Sequence, residues 1–307
     1  MPKPIQGVLP IAHTPFTADD QIDDESLRRQ IDWAFEQGAD GYCLAMVSEL
    51  LRLTTDERIE LTRRLVELNA GRGVVVISVG AESTRQAMFF ARHAREAGSD
   101  AVMAIPPIST ALPEEELLAY FSAIADEAEL PLIVQDASGY VGEAIPLTVH
   151  VRLLERFGPE RILFKPEAAP VGPKLSELRD ATGGRARIFE GSGGIYLVDS
   201  FRRGVVGTMP GMELLDGIVA LWRALQAGDD DAAYRLYFPI CALVALQMQA
   251  GLDGFLAIEK YIMVRRGIFA TDARRRPNNW RLNDETASEV DRLLEQLASA
   301  QVDAKRE

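Results

Sequence analysis

Along the chain, short and almost unbroken apolar runs alternate with longer stretches in which apolar side chains return every three to four positions. The runs cover 7–12, 41–45, 74–79, 101–105, 132–134, 162–165, 187–190 and 205–208. Unbroken rather than alternating hydrophobicity predicts strands covered on both faces, as in a parallel sheet flanked by helices. The periodic stretches 25–37, 55–69, 84–97, 114–128 and 147–157 predict amphipathic helices between them. Beyond the eighth run the pattern is helical throughout, over 211–227, 230–250, 253–266 and 284–300, with breaks at Gly251, Gly267 and Pro277-Asn278-Asn279.

Eight strands with intervening crossovers predict the α/β class and a (β/α)8 TIM barrel with a C-terminal helical extension. The barrel is expected over 1–225 as the catalytic domain, with 226–307 packed on it as the extension. An open doubly wound sheet is the alternative, but its first strand normally leads into a glycine-rich phosphate turn. Here that turn reads His13-Thr14-Pro15-Phe16. The charged tail from Gln301 is expected to fray.

Composition narrows the classes. A chain of 307 residues that is 47% hydrophobic can bury a large core without disulfides or a structural metal. Its two cysteines, Cys43 and Cys241, have no zinc-type spacing and read as apolar residues of a reducing compartment. A net charge of −13 argues against a nucleic-acid partner, and the arginine run at 274–276 reads as a solvated turn. The opening MPKPIQGVLP lacks the layout of a signal peptide, and no apolar run reaches membrane-spanning length. A cytoplasmic protein with no membrane partner is therefore expected.

Barrel enzymes carry their reactive groups at the C-terminal ends of strands. Those ends read His13-Thr14, Ser48-Glu49, Pro106-Pro107, Gln135-Asp136, Lys165, Glu190-Gly191-Ser192 and Thr208. Lys165 closes the apolar run Ile162-Leu163-Phe164, which directs its amine into the barrel mouth. Desolvation at such a position favours a neutral amine, the form that attacks a carbonyl. The competing reading is a strand-end lysine paired with a carboxylate such as Glu167. Glu49 and Asp136 fit either proton transfer or hydrogen bonding to loop backbone. The glycine cluster from Gly191 through Ser192 and Gly193 to Gly194 fits either anion binding or a plain turn. His93 and His150 fall on predicted helices and His13 lacks a partner constellation, so no metal site is expected.

Taken in order, these motifs resemble the dihydrodipicolinate synthase / N-acetylneuraminate lyase family of class I aldolases. The resemblance rests on Thr14-Pro15-Phe16, on Gly38-Ala39-Asp40-Gly41 leading to Ser48-Glu49, and on Leu53-Thr54 followed by Glu57. It continues through Ala97-Gly98-Ser99-Asp100-Ala101 to Pro106-Pro107, and through Gly204-Val205-Val206-Gly207-Thr208. It implies a Schiff base on Lys165, 2-keto acid chemistry needing no cofactor, and a homotetramer. Three departures stand beside the matches. The hydroxyl-rich loop that holds the substrate carboxylate is reduced to Ala45-Met46-Val47-Ser48-Glu49. The proton-relaying tyrosine after the fifth strand is replaced by Gln135, whose amide does not titrate usefully. The tyrosine that reaches a neighbouring subunit gives way to Ile108 or Ser109.

Val134-Gln135-Asp136 and Phe164-Lys165-Pro166-Glu167 resemble instead the branch that dehydrates 2-keto-3-deoxy sugar acids, the L-2-keto-3-deoxyarabonate dehydratases in particular. The resemblance then implies catalytic roles for Lys165, Gln135, Asp136 and Glu49. It also implies substrate contacts from Ser48, Glu190, Gly191, Ser192, Gly193 and Thr208. The expected partner is pyruvate or a 2-keto-3-deoxy sugar acid. Condensation of pyruvate with an aldehyde, and a non-catalytic relative that binds a keto acid, are the alternatives.

Overall fold

Residues whose side chains are hidden on both faces build the strands, and the computed structural model, which describes residues 3–303, places eight of them in the expected alternation. The strands are β1 (Gly7–Val8), β2 (Gly41–Leu44), β3 (Val74–Ser78), β4 (Ala101–Ala104), β5 (Leu132–Asp136), β6 (Ile162–Pro166), β7 (Phe189–Glu190) and β8 (Gly207–Thr208). The helices that follow them are α1 (Asp24–Gln37), α2 (Thr55–Asn69), α3 (Thr84–Ala97), α4 (Glu114–Ala128), α5 (Leu147–Phe157), α6 (Val171–Ala181), α7 (Leu197–Arg202) and α8 (Leu215–Ala227). Three more complete the chain: α9 (Asp230–Met248), α10 (Gly251–Arg265) and α11 (Asp284–Asp303). The fold is a (β/α)8 barrel with a C-terminal helical extension, as the periodicity predicts.

Local chemistry sets the boundaries. Asp23 caps α1 by accepting from the backbone N–H groups of Glu25 and Ser26, and Gly38 ends it at a φ of +92°, where its own N–H returns to the last turn. The first apolar run yields only a two-residue strand, because Pro10 has no N–H for the ladder, which resumes as a single bridge at Ile11. The fifth runs two residues longer than its hydrophobicity, since Gln135 and Asp136 keep the parallel pairing. The break expected at Gly251 falls one step earlier, so that Gly251 opens α10. Gln301, expected to fray, continues α11 to Asp303, and residues 304–307 lie outside the described residues.

The contacts divide the chain into two units. The first comprises the N-terminal segment to Gly7, Thr55–Gly191 and Asp199–Thr208. Its strands run parallel in the order β3, β4, β5, β6, with Gln135 level with Lys165 and Asp136 level with Pro166. A bridge from Phe164 to Ile188 leads on to β7, and β7 pairs with β8 with Glu190 level with Thr208. The second comprises Val8–Thr54, Ser192–Val198 and everything from Met209. There Ile11 bridges to both Cys43 and Gly211, which fixes the start of the His13-Thr14 segment.

Candidate active site

Parallel pairing decides which groups meet Lys165. Residues level with one another on adjacent strands share a face, and so do residues two apart on one strand. Gln135 is level with Lys165 and Glu167 lies two residues beyond it, and the three side chains converge. The Lys165 Nζ stands 3.3 Å from Glu167 Oε2, and the same oxygen accepts from Gln135 Nε2 at 2.6 Å. All three residues are buried. Gln135 Oε1 has no hydrogen-bond partner among the described residues, which leaves one buried acceptor beside the amine.

Burial pushes the Glu167 carboxyl up from its ordinary range, and the charge of Glu190 acts in the same direction. The Lys165 ammonium and the Gln135 amide pull the other way without prevailing. Glu190, at the end of β7, accepts from Thr208 Oγ1 at 2.6 Å. The first unit thus holds a lysine, two buried carboxyl groups, an amide and a hydroxyl in one neighbourhood.

Gly191 makes this approach possible. A Cβ there would sit 2.4 Å from Lys165 Cε and 2.9 Å from both Cδ and Oε1 of Glu167. Gly191→Ala is therefore expected to displace the amine and the carboxyl together, with a stability loss of about 1–3 kcal/mol. Turnover should fall far more than that loss explains, and urea denaturation beside steady-state kinetics checks both. Wild-type kcat in that variant would show that this contact does not bear on turnover.

Asp136 points to the other side of β5. Its Oδ1 accepts from Ser138 N at 3.0 Å and from the Ser138 hydroxyl, and its Oδ2 from Ile145 N at 2.9 Å. Those bonds pin the loop after β5 and orient Asp136 away from Lys165. The nearby His150 is held neutral, burial lowering it to about 4.

In the second unit, Ser48 ends a single 3-10 turn (Met46–Ser48), where its hydroxyl donates to Ala12 O and accepts from Ala45 N. Glu49 follows at a φ of +57° and is fully engaged. Its Oε1 accepts from Lys260 Nζ and its Oε2 from Arg275 N at 2.8 Å. Burial lowers Lys260 to about 8 against the pull of Glu49. Lys260→Met removes the nearer of the cations beside the buried Glu49 carboxylate, leaving Arg52 Nη1 at 3.8 Å and the Arg275 N–H, and is expected to cost up to about 3–5 kcal/mol by chemical denaturation. A change near zero would show that the pair carries no structural weight. Ser192 accepts from Tyr196 N at 3.0 Å, which shapes the turn, while Gly193 adopts a φ of +72° in the left-handed region that favours glycine.

Two features escape the sequence. Glu167 is legible only as a possible surface partner of Lys165, although strand alternation places it on the same face. His13, expected to stand without partners, lies 3.2 Å from Glu213 and 3.7 Å from Glu259, residues about two hundred positions or more away in the chain. No local signal announces such a meeting.

The sequence model of the dihydrodipicolinate synthetase family matches residues 4–297. Among curated proteins, the L-2-keto-3-deoxyarabonate dehydratase of Azospirillum brasilense is 31% identical over 282 residues, spanning 89% of this chain and 88% of that one. The 4-hydroxy-tetrahydrodipicolinate synthase of Acidothermus cellulolyticus is 28% identical over 300 residues, spanning 97% and 94%. Among solved structures, dihydrodipicolinate synthase from Rhodopseudomonas palustris superposes with a TM-score of 0.86 at 28% identity, covering 95% of this chain and 97% of that one. No helix among the described residues is long and apolar enough to cross a membrane.

Proposed function

This chain belongs to the dihydrodipicolinate synthetase family, and from that premise we propose that it is a Schiff-base dehydratase of a 2-keto-3-deoxy sugar acid. Lys165 is the nucleophile and Glu167 the group that moves the proton. The observation that carries this reading is the buried Glu167 carboxylate 3.3 Å from the Lys165 amine, with Gln135 rather than a phenol beside them. Similarity to an L-2-keto-3-deoxyarabonate dehydratase over most of both chains supports the substrate class.

The steps follow from these groups. Lys165 Nζ attacks the C2 carbonyl, and loss of the carbonyl oxygen as water leaves an iminium. The iminium draws electrons, so Glu167 can take a proton from C3 and leave an enamine. The enamine pair then expels the C4 hydroxyl, which departs as water with the proton that Glu167 returns. Hydrolysis frees Lys165 and a product one water poorer than the substrate.

Gln135 positions the Glu167 carboxylate through its Nε2, and its unpartnered Oε1 is placed to accept from a hydroxyl on the bound molecule. Glu190 with Thr208 offers the polar surface that a polyhydroxylated chain requires.

The test is a small panel of keto acids followed by mass spectrometry and NMR. With L-2-keto-3-deoxyarabonate the expected product keeps all of its carbons and has lost one water. Cleavage to pyruvate and an aldehyde, or faster condensation of pyruvate with aspartate semialdehyde, would overturn the dehydratase reading.

A further inference from the structure

Three buried side chains that no step above uses converge within the second unit. His13 comes from the segment after β1, Glu213 from a 3-10 turn (Met212–Leu214) and Glu259 from α10. One ring nitrogen and one oxygen from each carboxylate lie within 4.8 Å of one another. None of the three residues is more than 2% exposed.

The hydrogen bonding around them leaves acceptors facing acceptors. His13 Nδ1 lies 3.4 Å from the Val47 carbonyl oxygen, nearer than to Glu259 Oε2 at 3.7 Å. With its proton directed to Val47, the ring keeps a lone pair on Nε2, and Glu213 Oε2 stands 3.2 Å from it. In either neutral tautomer one ring nitrogen presents a lone pair to an acceptor oxygen, Glu213 Oε2 on one edge or Val47 O and Glu259 Oε2 on the other, an arrangement that a bound cation completes. Glu259 Oε2 is buried and has no hydrogen-bond partner among the described residues. The adjacent Lys260 ammonium donates instead to Glu49 and to the Ala273 carbonyl.

Charge points the same way. The neighbouring Glu49–Lys260 pair balances itself, which leaves two carboxylates to be neutralised where isolated charge is expensive. A proton on Glu259, which burial and the charge of Glu213 favour, reduces the charge but supplies no ligand shared by the three groups. A divalent cation answers both.

The surroundings are built to hold these groups still. Glu213 Oε1 accepts from Gln247 Nε2 at 2.7 Å. The Gln30 amide grips the His13 backbone twice, accepting from its N–H at 2.9 Å and donating to its carbonyl at 2.8 Å. Outer partners of this kind orient metal ligands. Metal bonds of about 2.0–2.2 Å place neighbouring donor atoms about 3.0–3.5 Å apart, which the Nε2–Oε2 separation already meets. The Glu259 donor lies within 4.8 Å of the other two. One imidazole with two carboxylates is a set of intermediate hardness, suited to zinc or manganese rather than to copper(I) or calcium.

We propose that His13, Glu213 and Glu259 form a structural site for one first-row divalent cation, tying the segment after β1 to the C-terminal helices inside the second unit. This assignment does not depend on the reaction at Lys165.

The untagged full-length chain is stripped with chelator, incubated with Mn2+ or Zn2+ and desalted, and bound metal is counted by plasma mass spectrometry. The wild type is expected to retain about one equivalent of one of these ions and to melt at a higher temperature with it. Glu259→Gln keeps the shape of the side chain and should fold, as circular dichroism will record, yet retain less than about a tenth of an equivalent. Glu213→Gln provides the same test if Glu259→Gln folds poorly. Retention of neither ion by the wild type, or equal retention by the folded variants, would overturn the site.

Discussion

Lys165→Ala is expected to give a folded chain whose turnover is lower by roughly four to six orders of magnitude, the scale on which removal of a covalent nucleophile is felt. The amine is not a packing group: it stands one residue before the end of a strand whose apolar members, Ile162, Leu163 and Phe164, keep their places in the core. The lost ion pair is softened because burial already favours the protonated form of Glu167, and Gln135 still donates to its Oε2. The thermal midpoint should therefore move far less than the rate. Circular dichroism and single-turnover kinetics on the same preparation separate the two effects. Retained turnover would mean that the nucleophile lies elsewhere.

Glu167→Gln is the second large effect and differs in kind. The amine remains, so the Schiff base should still form, while proton transfer at C3 is lost and kcat falls by roughly 10²–10⁴. The pH dependence supplies a further check. Burial holds the Glu167 pKa above its ordinary value, so the ionised base accumulates only at higher pH. The wild-type kcat/KM should climb with pH through that raised value, and the variant should lose this limb. Stability carries the opposite sign. A carboxyl raised in the folded state contributes stability fully below its unfolded pKa and loses it as pH rises through the folded one. Glu167→Gln should flatten that decline. A variant with the wild-type pH profile would remove Glu167 from the chemistry.

The barrel was readable from the sequence because strands buried on two faces and helices buried on one leave different periodicities. Where ladder geometry rather than burial decides, hydrophobicity misplaces the strand ends: Pro10 cuts the first strand short, and polar Gln135 and Asp136 extend the fifth beyond its apolar run. Lys165 was conspicuous as a charge closing an apolar strand. Its partner was not, because Glu167 follows a proline and looks like a loop residue until the side chains are seen to share a face. Glu49 and Asp136 were conspicuous as strand-end acids, yet the structure commits their oxygens to Lys260, Arg275 N, Ser138 and Ile145 N. The His13 cluster was illegible for another reason. Its members come from three segments that only the folded second unit brings together, and no spacing along the chain encodes that.

Catalysis of the proposed kind begins with covalent attachment of a 2-keto acid to Lys165. Incubation with pyruvate or a 2-keto-3-deoxy acid, reduction with borohydride and peptide mass spectrometry test it directly. One reduced adduct per chain is expected, on the peptide carrying Lys165, in the wild type and in Glu167→Gln but not in Lys165→Ala. Absence of any adduct in the wild type, or an adduct on another lysine such as Lys260, would contradict it.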